Sequence, residues 1–257
     1  MNNFWFTEHS PEKVRFFVRD FLEATKGKDI LRPFTSIHEE YHDFLQKRGF
    51  KLHSTKQDTI LVSDQREEIF LKVFIPLKLK RKIKHRLINP AKTAFAMSEK
   101  FRRKGVPLVK VFGYGKIKRK DAYVMAGARG RNFLEIVKEE KNIQKIELFF
   151  FKIIDVVCKI HGNSYFLGDA NIKHFFFEED RVDSIIDLDG FSQAKFLKED
   201  RFARDLGYLF RPILPFDKAK IKDFVFYYCS KISIDKKEEF LKKVENYRIR
   251  RWKIKDK

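Results

Sequence analysis

One change of hydrophobic period constrains the fold more than any other feature of the chain. The stretch FKLHSTKQDTILVSDQREEIFLKVFI gives three short β-type runs, 50–54, 58–63 and 68–75, separated by polar turns such as TKQD and SDQRE. Short runs rich in Val, Ile, Thr and Phe, spaced by turn residues, predict an antiparallel meander. From NFLEIVKEE onward the apolar residues recur at helical spacing, over 131–140, 143–161, 200–212, 216–231 and 235–247. A run of strands followed by a run of helices predicts an α+β architecture rather than alternating βαβ units.

Other elements fit around these two blocks. Residues 10–25 read as a helix with Ser10 as N-cap and Pro11 in the first turn, and 36–48 as a second, opened by Thr35 or Ser36. Residues 90–104 read as a helix closed by Gly105 and Pro107, and LVKVFGYGKIK and DAYVMAGA as two more strands. Inside the helical half, two strands are expected near 174–177 and 183–188. The expected division is 1–126, β-rich with one interposed helix, and 127–257, helical. Gly127–Gly130 is the candidate hinge.

Charge narrows the partners. Fifty-six Lys and Arg against 36 acids give a net charge of +20. Such an excess attracts polyanions: a nucleic acid, an anionic membrane surface or a phosphorylated substrate. No helix-turn-helix signature, zinc spacing or aromatic RNA-binding motif is present, so nucleic acid is not the expected partner. The run 77–87 is strongly basic, with Leu79, Ile83 and Leu87 on one face, which suits an anionic surface. Cys158 and Cys229 stand far apart in apolar helical settings and suggest no disulfide framework, hence a reducing compartment. No stretch of 18 apolar residues occurs, and the first residues lack the pattern of a signal peptide. The expected place is therefore cytoplasmic.

The segment HGNSYFLGDANIKHFFFEEDRVDSIIDLDG, residues 161–190, concentrates the chemistry. Taken singly, Asp169 and Asp187 are ordinary turn or strand-end acids, and Lys72 in IFLKVF is an ordinary strand lysine. Together they match what phosphoryl transfer needs: a carboxylate to orient or deprotonate a hydroxyl, a metal-binding carboxylate, and a cation on the phosphates. In the protein-kinase plan the catalytic Asp is followed five residues on by Asn, and one hairpin later by a metal-binding Asp. Here 174 − 169 = 5 places His174 at the Asn position, and 187 − 169 = 18 leaves room for one hairpin.

Over residues 68–210 the chain resembles the lipopolysaccharide core kinases (the Kdo/WaaP-type family), which have a protein-kinase-like fold. DANIKHFFF is similar to the His-Phe pattern of the heptose-kinase branch, and IIDLDGFS to its metal-binding Asp followed by Leu. AFAMSEKFRRKGVPLVKVFGYG and FARDLGYLF are similar to two further stretches of the family. Where the family carries His or Arg before the catalytic Asp, this chain has Leu167 and Gly168. The resemblance implies a bilobal protein-kinase-like fold and an enzyme, a phosphotransferase that moves a phosphoryl group from ATP to a heptose or Kdo sugar of the lipopolysaccharide core. It implies Asp169 as catalytic base, Asp187 and His174 on Mg²⁺, and Lys72, Glu99 and Met125 on the nucleotide. Asp205 is then the residue that braces the catalytic loop. It also implies an anionic glycolipid (lipid A–core) partner and a peripheral location at the inner face of the inner membrane. Two other readings stay open on the residues alone: a protein-kinase-like pseudokinase or scaffold, and a kinase of another small molecule or protein.

Overall fold

The computed structural model describes residues 4–26, 38–56, 59–75, 83, 88–196 and 198–253, excluding the side chains of 38–41 and 54–56. Apart from Ile83, the basic run 77–87 lies outside the described residues, as does the start of the second expected helix. The chain divides into two compact units, Met1–Lys100 with Val109–Gly127, and Phe101–Leu108 with Ala128–Lys257.

The first unit is a six-stranded antiparallel sheet. The meander forms as β2 (Phe50–Lys56), β3 (Thr59–Asp64) and β4 (Ile69–Phe74), and a hairpin follows as β5 (Val111–Ile117) and β6 (Lys120–Ala126). A short strand, β1 (Phe4–Phe6), completes the order β1-β5-β6-β4-β3-β2. β1 precedes the first expected element, the helix from residue 10, and is not among the expected strands. Phe4 pairs with Gly115 and Phe6 with Gly113, so the sheet edge rather than any local pattern makes these residues a strand. β4 alternates buried and half-buried residues, while β6, between β4 and β5, buries Ala122, Tyr123, Val124 and Met125 in succession. That is the behaviour of an interior strand covered on both faces.

Helix α1 (Glu12–Ala24) packs one face of this sheet. Val14, Phe17, Val18 and Phe21, at helical spacing, join Ile60, Val62, Leu71, Val73 and Val124 in one apolar cluster. Full burial of each such side chain is worth about 1.5–3 kcal/mol. The N-cap is Pro11, not Ser10. The Ser10 hydroxyl instead donates to the Phe112 carbonyl (2.7 Å) and pairs with Thr7 Oγ1 (2.6 Å), so it fastens the chain leading into α1 to β5. Helix α2 (His38–Gln46) precedes β2 and buries Leu45 in the same cluster. Helix α3 (Pro90–Arg102) ends two residues sooner than expected, in a turn that leads to Gly105. Ser98 anchors it: its hydroxyl donates to Val109 O (2.7 Å) and accepts from Val111 N (3.0 Å).

The second unit is helical. A two-residue strand, β7 (Arg131–Asn132), leads into α4 (Phe133–Glu139), which opens on a capping box formed by Asn132 and Glu135. Helix α5 (Ile143–Gly162) runs through the core and buries Ile146, Phe149, Phe150, Ile153, Ile154, Val157 and Ile160. Phe150 is an aromatic hub, 4.7 Å from Phe224, 5.2 Å from Phe210 and Phe216, and 6.0 Å from Phe133. The abundance of Phe, 29 residues in all, is thus largely a core material in this unit. After α5 come β8 (Tyr165–Phe166), β9 (Phe175–Glu178), β10 (Arg181–Ile185) and β11 (Ser192–Gln193). β9 lies between β10 and β7, and β8 pairs with β11. Phe175 and Phe177 point into the core, as alternation requires. Helices α6 (Lys198–Leu209), α7 (Lys218–Ile232) and α8 (Lys237–Trp252) complete the unit. α8 extends five residues past the expected end at 247, with Arg250 and Arg251 in the last turn, where cations oppose the helix dipole favourably.

Candidate active site

The loop between β8 and β9 carries Asp169. Its shape is fixed from beneath by a buried carboxylate. Asp205 on α6 has no exposed surface and accepts from two successive backbone N–H groups, Leu167 N to Oδ2 (2.5 Å) and Gly168 N to Oδ1 (3.1 Å). His161, at the end of α5, reaches the same carboxylate through Nε2 (3.3 Å), while its Nδ1 meets the Tyr228 hydroxyl. An ionised carboxylate only accepts, so His161 carries its proton on Nε2. Nδ1 is then the acceptor and Tyr228 the donor. Burial pushes the imidazole below its usual range, against the opposing pull of Asp205, and pushes the Tyr228 phenol well above its usual value. The imidazole is stacked on Phe202, with ring centroids 4.1 Å apart. Tyr228, His161, Asp205 and the loop amides form one satisfied network. Buried networks of this kind are stable only when complete.

Gly168 accounts for the departure at the residue before Asp169. Its φ is +82°, and a Cβ there would lie 2.4 Å from the Gly190 carbonyl oxygen. No side chain fits at this position, which is given over to backbone contact between two loops. Those loops carry Asp169 and Asp187. Asp187 follows β10 in the left-handed conformation (φ +67°, ψ +47°), at the head of a 3₁₀ turn over Leu188–Gly190. A non-glycine residue held there costs of order 1 kcal/mol or more, and such residues cluster at functional sites.

The expected metal ligands meet: His174 Nε2 lies 3.7 Å from Asp187 Oδ2. His174 is nearly buried on a short 3₁₀ turn after Asn171, and the Asp187 side chain is 28 % exposed. Among the described residues no group of three or more His, Cys, Asp or Glu side chains could hold a metal. Mg²⁺ needs no such cage. It is held by one or two carboxylates together with waters and substrate phosphates. Asp187 fits that demand, whereas the His174 nitrogen is the softer donor of the two.

Asp169 is exposed, and its Oδ1 accepts from Arg251 Nη2 at 2.8 Å. Sequence reasoning missed this partner, which lies 82 residues away on α8. Two further arginines reach the same loop: Arg204 Nη2 approaches Gly168 O, and Arg211 Nη1 approaches Asn171 Oδ1, each at 3.5 Å. It also missed the role of His161, which read as a plain helix end. Basic residues in the final helix turn were the one available signal for Arg251.

The remaining expected residues lie in the first unit. Lys72 sits mid-strand on β4, in register with Leu61 and Tyr123, its ammonium 5.4 Å from the Phe74 ring centroid. Glu99 lies half-buried near the end of α3. Met125 is buried on β6, opposite Phe70 and Val111.

No protein-family model matches the chain, and no curated protein matches it in sequence. Solved structures do match. Aminoglycoside phosphotransferase APH(3'')-Id from Streptomyces rimosus superposes with a TM-score of 0.55 at 10 % identity, over 83 % of this chain and 99 % of that one. The same enzyme in complex with ADP and streptomycin gives 0.52 at 10 %, over 78 % and 92 %. A putative aminoglycoside phosphotransferase from Ralstonia eutropha gives 0.52 at 10 %, over 90 % and 86 %. These likenesses define the fold: α+β and protein-kinase-like, with a β-sheet N-terminal region and a helical C-terminal part.

Proposed function

We propose that the chain is an ATP-dependent phosphotransferase with an alcohol acceptor, and that the acceptor is a heptose or Kdo sugar of the lipopolysaccharide inner core. The observation that carries the kinase reading is the braced loop. Asp205 holds the Leu167 and Gly168 amides, and Asp169 projects from that loop into solvent, on a chain of phosphotransferase-like fold. Phosphoryl transfer asks little more of a protein than positioning and charge stabilisation, and this arrangement supplies the positioning.

In this reading Asp169 accepts the proton of the sugar hydroxyl as the hydroxyl oxygen bonds to the γ-phosphorus of ATP, while the bond from that phosphorus to the β,γ-bridging oxygen breaks and ADP leaves. Asp187 is the oxygen ligand for Mg²⁺, with His174 beside it to orient its carboxylate. The bound cation supplies charge neutralisation on the phosphates. Lys72 serves the α- and β-phosphates, Glu99 steadies Lys72, and Met125 packs on the nucleotide base. The core-sugar assignment is supported by the sequence resemblance over 68–210 and by the +20 charge, which suits an anionic glycolipid at an anionic leaflet. None of the helices in the described residues is long and apolar enough to cross a membrane. An aminoglycoside, a polyamine sugar, is disfavoured as acceptor because three guanidiniums reach the Asp169 loop.

The test is ATP turnover on deacylated core oligosaccharide. A positioned general base contributes roughly 10²–10⁴-fold, so Asp169→Ala is expected to lower turnover at least about 100-fold. Equal turnover in wild type and variant overturns the role of Asp169.

A further inference from the structure

The arginines around Asp169 are arranged more closely than a general basic surface requires. Arg204, Arg251 and Arg211 meet Gly168 O, Asp169 Oδ1 and Asn171 Oδ1 in turn, so three guanidiniums follow four consecutive residues of one loop. Two aromatic rings set their spacing. Tyr208 lies under both Arg251 (4.7 Å) and Arg204 (5.9 Å), and Trp252 under both Arg211 (4.9 Å) and Arg251 (5.6 Å). A guanidinium placed over an aromatic face is attracted to it, which restricts where the side chain sits.

Of their donors, Arg204 Nε is buried and has no hydrogen-bond partner among the described residues; the neighbouring Trp252 Nε1 and Arg248 Nε are in the same condition. Buried donors without acceptors are rare, and each one calls for an explanation. The two contacts at 3.5 Å are at the outer limit of hydrogen bonding. Among the described residues, Asp169 is the carboxylate that contacts these arginines, through Arg251, on the exposed side of the loop, while Asp205 lies beneath, hydrogen-bonded by the loop amides and His161. The three guanidiniums outnumber the carboxylates beside them, Asp169 and the buried Asp205, and that positive excess suits the negative charge of a phosphate monoester at neutral pH.

We propose that Arg251, Arg211 and Arg204 form a phosphate subsite of the acceptor, so that the substrate is a sugar already phosphorylated close to the hydroxyl that reacts. Arg251 is the residue that discriminates. Without acceptor it is paired with Asp169. A bound phosphate takes the guanidinium, and Asp169 is left with its acceptor oxygen directed at the hydroxyl. Substrates lacking the phosphate leave the base engaged. The step that must precede this one is therefore another phosphoryl transfer to the same sugar or its neighbour. The subsite's role in acceptor choice rests on the kinase reading above, but its existence does not.

Trp252 provides a readout independent of turnover. The chain has two tryptophans, Trp5 and Trp252, so Trp5→Phe leaves a single reporter stacked on two of the three arginines. Titration of that full-length protein with inorganic phosphate, against sodium chloride at matched ionic strength, is expected to give a saturable change in fluorescence. Arg251→Gln is expected to weaken phosphate at least tenfold. Asp169→Asn, which removes the competing carboxylate, is expected to tighten it about threefold or more, a gain that a merely structural arginine would not produce. Arg251→Lys keeps the charge without the two-pronged donor and is expected to fall between wild type and Arg251→Gln. Circular dichroism and melting temperature confirm folding in each case. Overturning results are a chloride response equal to that of phosphate, an unchanged phosphate affinity in Arg251→Gln, or a weaker one in Asp169→Asn. If core-sugar turnover is absent yet these phosphate responses appear, the kinase reading fails and the subsite stands. If turnover is present and they do not appear, the reverse holds.

Discussion

The two units hold their candidate site residues by different means. In the first, Lys72 and Met125 are placed by strand register, Lys72 by its neighbours on β3 and β6 and Met125 by those on β4 and β5, and apolar burial supplies the stability. In the second, Asp169 depends on polar atoms brought from three separate helices, α5, α6 and α7, plus a fourth, α8, that supplies Arg251. Register tolerates conservative exchange, because hydrophobic side chains of similar volume substitute at modest cost. A buried polar network does not, since removing one member strands the rest. The second unit is therefore the one in which single substitutions far from the loop reach the chemistry.

The largest break is at the centre of the network. Asp205→Ala leaves two backbone N–H groups and the His161 Nε2–H without an acceptor. At about 1–3 kcal/mol for each stranded group, a loss of at least about 3 kcal/mol is expected, read from urea unfolding midpoints at constant slope. A loss below about 1 kcal/mol would place the loop under other control.

A smaller break acts through helix spacing. Gly207 lets α6 approach α8. A Cβ there would lie 2.6 Å from Val244 O and 2.9 Å from Arg248 N, both backbone atoms. Gly207→Ala gains helix propensity but forces the helices apart, and overpacking of this sort costs about 1–3 kcal/mol. The substitution is also expected to weaken phosphate quenching of Trp252, since α8 carries Arg251. Unchanged stability and unchanged phosphate response together would separate the network from the C-terminal helix.

The smallest effect is one of pH. His161 is held neutral, with its pKa lowered by burial. In the unfolded chain it takes up a proton near the ordinary value of about 6.5, while the folded protein does not. The unfolded state then binds more protons, so stability is complete above about pH 6.5 and falls as pH drops below it, by up to about 1.4 kcal/mol per pH unit. Comparison of unfolding midpoints at pH 7.5 and 5.5 in wild type and His161→Gln isolates this component. The slope is expected to flatten in the variant, and an identical slope would assign the acid sensitivity elsewhere.

What the sequence revealed follows the same division. The meander and the helices of the second half were legible because alternation and helical spacing are local signals, and apolar residues declare which face is buried. Lys72, Asp169, His174 and Asp187 could be proposed as a set because order and spacing are linear quantities, and of these the structure brings His174 beside Asp187. Ser10 read as an N-cap, yet its hydroxyl is used 102 residues away by Phe112. His161 and Arg251 carried no signal of their roles, since hydrogen bonds spanning 67 and 82 residues have no trace in local composition. Gly168 looked like an omission before Asp169 and is instead a requirement of the Gly190 carbonyl.

The first strand has a consequence for synthesis. Phe4, Trp5 and Phe6 pair with Gly115, Tyr114 and Gly113, which are synthesised well after them. A ribosome adding about 5–20 residues per second needs roughly 5–20 s to cover that interval. Throughout it, three aromatic residues with strand-like preference have no partner, and such a segment is a ready template for contact with other nascent chains. Closing the sheet edge is thus among the last events that the first unit can complete. Expression at lower temperature or with a holding chaperone should improve yield most for variants that weaken this edge.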